Sequence, residues 1–198
     1  FERPRFYAEE LGVKEKLLIA VISDHINLNL TPFAAAVNRT VANYAKIAYM
    51  SFDHSTVNNF LQKSNQSMSL VFSHPKTVHF FAQLINLFQK YARKYDWIFL
   101  IDDVTYVKSF RLLEFVSHLW TPNYDVVLGN ISQKNEGSLN ATICSLAAGG
   151  LLISTSAASK ISRRLLTDCK IDEKSADFHD GHFAECLQKE NLQCATTW

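Results

Sequence analysis

Two stretches, Leu17-Leu18-Ile19-Ala20-Val21-Ile22 and Trp97-Ile98-Phe99-Leu100-Ile101, are apolar without a break, and each runs straight into carboxylates, at Asp24 and at Asp102-Asp103. A strand with one solvated face alternates apolar with polar, so an unbroken run of this length describes a strand covered on both faces, as in a parallel sheet. Such sheets need crossover helices, and the sequence supplies them. Thr31-Pro32 reads as a helix start, with Phe33, Val37, Val41 and Tyr44 on one face to about Ala45. Val78, Phe81, Leu84, Ile85, Leu87, Phe88 and Tyr91 mark a long amphipathic helix over Thr77–Lys94, whose Lys90, Arg93 and Lys94 suit the negative end of its dipole.

Strands are further expected at Lys46–Phe52, Ser69–Phe72, Asp125–Leu128 and Leu146–Ile153, the last running through Gly149-Gly150. Helices are expected at Phe110–Leu119, Ser156–Leu166 and His182–Lys189, and surface loops at Asp53–Ser67 and Gln133–Asn140. Alternating strands and helices give the α/β class: a Rossmann-type, mainly parallel sheet with helices on both faces and right-handed crossovers. The 198 residues suit one domain, residues 1–198, with neither repeat nor linker.

Lys and Arg number 20 against 19 Asp and Glu, a net charge of +1, so nothing points to a nucleic-acid partner. No run of 18 apolar residues is present. Cys144, Cys169, Cys186 and Cys194 cluster in the last third without a Cys-x-x-Cys pair, and four cysteines allow three disulfide pairings or four buried thiols. Acceptor sequons for N-glycosylation begin at Asn29, Asn38, Asn65, Asn130 and Asn140, where chance predicts about two. Sequons and cysteines together favour an oxidising, secretory-pathway lumen.

In open α/β sheets ligands bind at the carboxyl ends of strands, which is where Asp102 and Asp103 stand. Adjacent carboxylates leaving a buried strand suit a hard cation such as Mn²⁺ or Mg²⁺ carrying a diphosphate. The same pair also describes a solvated strand end in which Asp103 caps the next turn. Residue types alone leave both readings open.

Asp102-Asp103-Val104-Thr105-Tyr106-Val107 resembles the D-D-D-T-Y-V segment of glycosyltransferase family 31, the group that holds fringe, core-1 galactosyltransferase and the chondroitin synthases. Cys144 to Ser154 resembles that family's C-x-G-G-x-G-x-x-x-S segment, and Asp180 to Leu187 its E-D-V-x-x-G-x-C-L segment. Arg3 to Val21 and Ala36-Val37-Asn38-Arg39-Thr40 are similar to the polymerizing-factor branch of the chondroitin synthase group.

The resemblance implies a GT-A-like fold, a UDP-sugar donor, and Mn²⁺ or another divalent cation held through the acidic triplet. It assigns Asp102 and Asp103 to metal and donor, Arg39 to the donor side, Asp180 to the catalytic base, and Gly149 and Gly150 to the acceptor side. It also implies a Cys169–Cys186 disulfide bracing the segment that bears Asp180. As context it implies an excised domain of a type II membrane protein, its signal-anchor outside this chain, working in the Golgi lumen on a glycosaminoglycan chain within a hetero-oligomer with a chondroitin synthase subunit.

Two departures qualify the match. Val104 stands where the family has its third acid and principal metal contact, and valine has no lone pair to offer. His179, Gly181 and Ala184 replace Glu, Val and Gly of the third motif, and His179 and His182 are the only nearby histidines that could complete a metal shell. The expected function is therefore a polymerizing-factor-like subunit supporting chondroitin elongation with weak or no catalysis. The alternative is an active, metal-dependent, inverting β1,3-glucuronosyltransferase acting on N-acetylgalactosamine-terminated chondroitin; a lectin-like sugar-binding domain is a third reading.

Overall fold

The computed structural model describes residues 7–13, 15–22, 37, 39–42, 44–51, 69–72, 80–102, 104–119, 123–136, 139–146, 149–164, 180–192 and 194–196. Their strands are β1 (Leu17–Ile22), β2 (Lys46–Ser51), β3 (Ser69–Phe72), β4 (Trp97–Asp102), β5 (Val127–Glu136), β6 (Leu139–Ser145), β7 (Leu151–Ser154) and β8 (Cys194–Ala195). The helices are α1 (Tyr7–Glu10), α2 (Phe80–Tyr91), α3 (Ser109–His118), α4 (Thr155–Arg164) and α5 (Asp180–Lys189). Helical backbone also occurs at Val37 and at 39–41, inside the helix expected from Thr31; the rest of that helix and the Asp53–Ser67 loop lie outside the described residues.

One sheet runs in the order β3-β2-β1-β4-β7-β5-β6, with β8 beside β5. Strands β1 to β4 pair in parallel, and their crossovers reverse direction from β1, outward to β2 and β3 on one side and to β4 on the other. This is the expected α/β sheet. Beyond β4 the pairing changes, since β7 is antiparallel to β4 and to β5, and β6 is antiparallel to β5. Two expectations need correction there. The Gln133–Asn140 segment is not a loop, because Gln133–Glu136 and Leu139–Asn140 are the arms of the β5–β6 hairpin, where backbone pairing holds polar residues in strand. Nor does a strand run through Gly149-Gly150: Leu146, Gly149 and Gly150 lie outside any strand between β6 and β7, and the Gly150 N–H donates to the Leu146 carbonyl at 2.8 Å.

The apolar runs of β1 and β4 are buried throughout, as expected of strands covered on both faces. Their side chains divide by parity between two cores. Leu18, Ala20, Ile22, Ile98 and Leu100 face a cluster with Leu84, Leu87 and Phe88 of α2, Ile161 of α4 and Phe183 and Leu187 of α5. Leu17, Ile19, Val21, Trp97, Phe99 and Ile101 face Ala8 of α1, Val37, Val41, and Leu112, Leu113 and Val116 of α3. Each fully buried large apolar side chain contributes roughly 1.5–3 kcal/mol of transfer free energy, opposed by the entropy of ordering the chain.

Ser154 joins the two halves at the sheet's amino edge. Fully buried at the end of β7, its hydroxyl caps α4 by accepting the Ala157 N–H at 3.2 Å, accepts the Val126 N–H at 3.1 Å and donates to the Tyr124 carbonyl at 2.8 Å. A disulfide joins Cys144 of β6 to Cys194 of β8, with Cα atoms 5.8 Å apart. Cys186 is also disulfide-bonded. Its implied mate Cys169 lies outside the described residues.

Candidate functional site

The parallel strands end together at one edge, where Ile22 of β1 faces Asp102 of β4. Asp102 follows Ile98 and Leu100 in parity, so its side chain leaves the sheet on the face covered by α2, α4 and α5. It is half-buried, and its Oδ1 accepts the Thr105 hydroxyl while the Thr105 N–H turns back to its carbonyl at 3.4 Å. A threonine three residues beyond an aspartate can close such a side-chain-to-side-chain turn. Thr105 is a site residue that the sequence reading passed over, although the Asp-x-x-Thr spacing was there to be seen.

The neighbouring chain reaches the same edge. Register pairs Leu100 with Leu151, so Gly150 lies beside Ile101 and Gly149 beyond it. Gly150 adopts φ 93°, and a Cβ there would stand 2.7 Å from Ile101 Cγ2, 2.8 Å from the Leu100 carbonyl oxygen and 2.9 Å from Phe99 Cε2. Only glycine fits, and the approach fixes the β6–β7 turn against the residues just before Asp102. Gly149, at φ 122°, is exposed with open space where its Cβ would be. Donor-side and acceptor-side candidates thus meet at one edge, in Asp102 and the two glycines.

The other predicted residues are less closely gathered. Asp180 is the first residue of α5, on the sheet face to which Asp102 points, and its side chain lies outside the described residues, as does that of His182. Asp103 and His179 lie outside them altogether. Arg39 is exposed on a helical turn packed against the opposite face, where Ser109 Oγ donates to the Thr40 carbonyl at 3.0 Å. No described contact joins Arg39 to Asp102. Of the sequons, Asn130 is exposed on β5 and Asn140 lies on β6; Asn29, Asn38 and Asn65 fall outside the described residues.

A divalent cation needs several oxygen donors, six or more for Ca²⁺ and a near-ideal octahedron for Mg²⁺. Among the described residues no three His, Cys, Asp or Glu side chains converge, and the one carboxylate at this edge, Asp102, already takes the Thr105 hydroxyl. Val104 is 58% exposed and offers no donor. The described donors do not make up the expected metal site.

No protein-family model matches the chain. Among curated proteins it is 30% identical over 154 residues to human chondroitin sulfate glucuronyltransferase, covering 76% of this chain and 19% of that protein. It is 26% identical over 194 residues to chondroitin sulfate synthase mig-22 of Caenorhabditis elegans, covering 97% of this chain and 22% of the relative. In sequence it is a chondroitin-synthase-like glycosyltransferase domain. The chain spans about a fifth of the length of those relatives. In fold it is similar to the glycosyltransferase GlyE of Streptococcus pneumoniae, with TM-score 0.53 at 14% identity over 92% of this chain and 45% of that one. It is also similar to 4-diphosphocytidyl-2C-methyl-D-erythritol synthase of Anaerococcus prevotii, with TM-score 0.56 at 8% identity, covering 93% and 88%. The sheet is therefore GT-A-like, and Asp102 stands at its carboxyl edge.

Proposed function

We propose that this chain serves as a polymerizing-factor-like subunit in chondroitin synthesis, binding and positioning rather than catalysing. In this reading it works in the Golgi lumen beside an active chondroitin synthase, on a growing glycosaminoglycan chain, within a longer type II membrane protein. Its relatives support a chondroitin-related, glycosyltransferase-like role. The single observation that carries the finer reading is Val104, an exposed apolar side chain where a metal-binding acid is expected, next to an Asp102 whose Oδ1 is engaged by Thr105. Asp102, Asp103 and Arg39 on the donor side, Gly149 and Gly150 on the acceptor side, and Asp180 as base would be the remnants of the transferase site.

The competing reading, an active UDP-glucuronate-dependent transferase holding Mn²⁺ through Asp102 and Asp103, draws on the named activity of the human relative. Calorimetric titration with UDP, with and without Mn²⁺, separates the two. The subunit reading expects no metal-dependent heat from the unaltered chain and a gain of such binding in Val104→Asp, because one restored carboxylate is worth several kcal/mol to a hard cation. Micromolar, Mn²⁺-dependent UDP binding by the unaltered chain refutes it. Failure to co-purify with a chondroitin synthase after co-expression removes the partner half of the proposal.

A further inference from the structure

At the opposite edge of the sheet from Asp102, where β1, β2 and β4 begin, an open hollow of about 370 Å³ is lined by Glu15, Ala42, Ala45, Lys46, Lys94 and Tyr95. Its walls are tied together. The Lys16 carbonyl accepts the N–H groups of Asp96 and Trp97 at 2.8 and 2.9 Å, which fixes the turn bearing Glu15 to the segment bearing Lys94 and Tyr95. The third wall is the end of the helical turn that closes on the Val41 carbonyl, with Ala42 and Ala45 small enough to leave the space open.

Among the described residues the side chains of Glu15, Lys46 and Lys94 make no hydrogen bond or ion pair. The Tyr95 ring is braced against Tyr91, with centroids 6.0 Å apart. Burial, then Tyr91 and Glu15, hold its phenol above the ordinary value, so it stays a neutral donor. Two ammonium groups, one carboxylate, a phenol and a fixed aromatic face around a hollow near the lower end of small-molecule sites form a carbohydrate-binding set. The ammonium groups suit an acid, the ring suits a sugar's C–H face and the carboxylate suits hydroxyls.

We infer that this hollow is a second carbohydrate site, which holds a uronate-bearing sugar chain at a distance from the donor edge. The choice of sugar chain rests on the proposed function above. Six residues of β4 separate the two edges, about 20 Å at strand rise, so a polymer gripped here is held several sugar units from Asp102. The domain would then retain the chain behind its growing end, a property useful to a subunit that does not itself catalyse.

The test is calorimetric titration of the full 198-residue chain with a chondroitin hexasaccharide, its carboxyl-reduced counterpart and inorganic sulfate. Binding of the hexasaccharide is expected, weakened roughly tenfold by Lys46→Gln or Lys94→Gln, with Lys→Arg retaining it, since a charge-assisted contact is lost in one case and kept in the other. The carboxyl-reduced sugar should bind at least about tenfold more weakly, and sulfate should not compete. The proposal is overturned by no binding from a chain whose melting curve shows it folded. It is equally overturned by unchanged binding in the double glutamine variant, by equal binding of the carboxyl-reduced sugar, or by competition from sulfate. The readouts for the function proposal, UDP with Mn²⁺ and co-purification, do not involve these lysines, so either idea can fail while the other stands.

Discussion

Replacing Gly150 with alanine probes the junction on which the candidate site rests. Its backbone sits at φ 93°, which costs an L-residue about 1–2 kcal/mol. The new Cβ would also stand less than 3.0 Å from three groups, Ile101 Cγ2, the Leu100 carbonyl oxygen and Phe99 Cε2, all belonging to buried residues of β4. Overpacking of that kind costs about 1–3 kcal/mol more, for a total of about 2–5 kcal/mol. Gly149→Ala serves as the internal control, because its φ is 122° but nothing lies near its Cβ, so only the backbone share applies. With a urea slope of about 2 kcal/mol/M, Gly150→Ala should lower the unfolding midpoint by about 1–2.5 M, clearly more than Gly149→Ala. Equal midpoints for the two variants would refute the close approach of Gly150 to β4, and with it the meeting of the two glycines with Asp102 at one edge.

Three further outcomes follow from the same structure. Asp125 is held below the ordinary carboxylate value, first by the Ser156 hydroxyl at 2.6 Å and then by Lys160, so Ser156→Ala should raise its titration midpoint in an NMR pH series. Its small stabilising share is present above the unfolded-state value and is lost as pH falls through the folded-state one, and an unmoved midpoint would dismiss the hydroxyl as the cause. Burial pushes the Tyr49 phenol well above its ordinary value, so stability should fall as pH climbs past about 10, where the unfolded phenol ionises first. Tyr49→Phe should flatten that alkaline decline in melting curves. Ser154→Ala deletes the cap of α4 and strands the half-buried Val126 N–H, and should cost about 1–3 kcal/mol in chemical unfolding.

What could be read from the sequence was whatever burial writes into it. Unbroken apolar runs gave β1 and β4, and three- and four-residue spacing gave α2, because two-sided burial and one-sided burial leave different periods. The β5–β6 hairpin escaped, since Gln133, Lys134, Asn135 and Glu136 carry no apolar alternation and are held by pairing with β6. Strand direction escaped too, because Leu151-Leu152-Ile153 would read the same whether β7 ran parallel or antiparallel to β4. At the site, the sequence placed Asp102 at a strand end and flagged Val104, but the approach of Gly150 to β4 depends on a contact between residues about fifty positions apart, and no local pattern encodes it. The hollow between Glu15, Lys46 and Lys94 was invisible for the same reason, as its walls come from three separate stretches.

The placement of sulfur divides the molecule. All four cysteines come after the parallel strands β1–β4, which contain none, and the Cys144–Cys194 bond closes a covalent ring around β7, α4 and α5. A reductant therefore acts on one side of the sheet alone: it would break the covalent tie between β6 and β8, while the pairing of β1 to β4, with Asp102 at their rim, involves no sulfur. How firmly β6 and β8 are tied is thus open to the redox poise around the protein, and the strand edge that carries Asp102 is not.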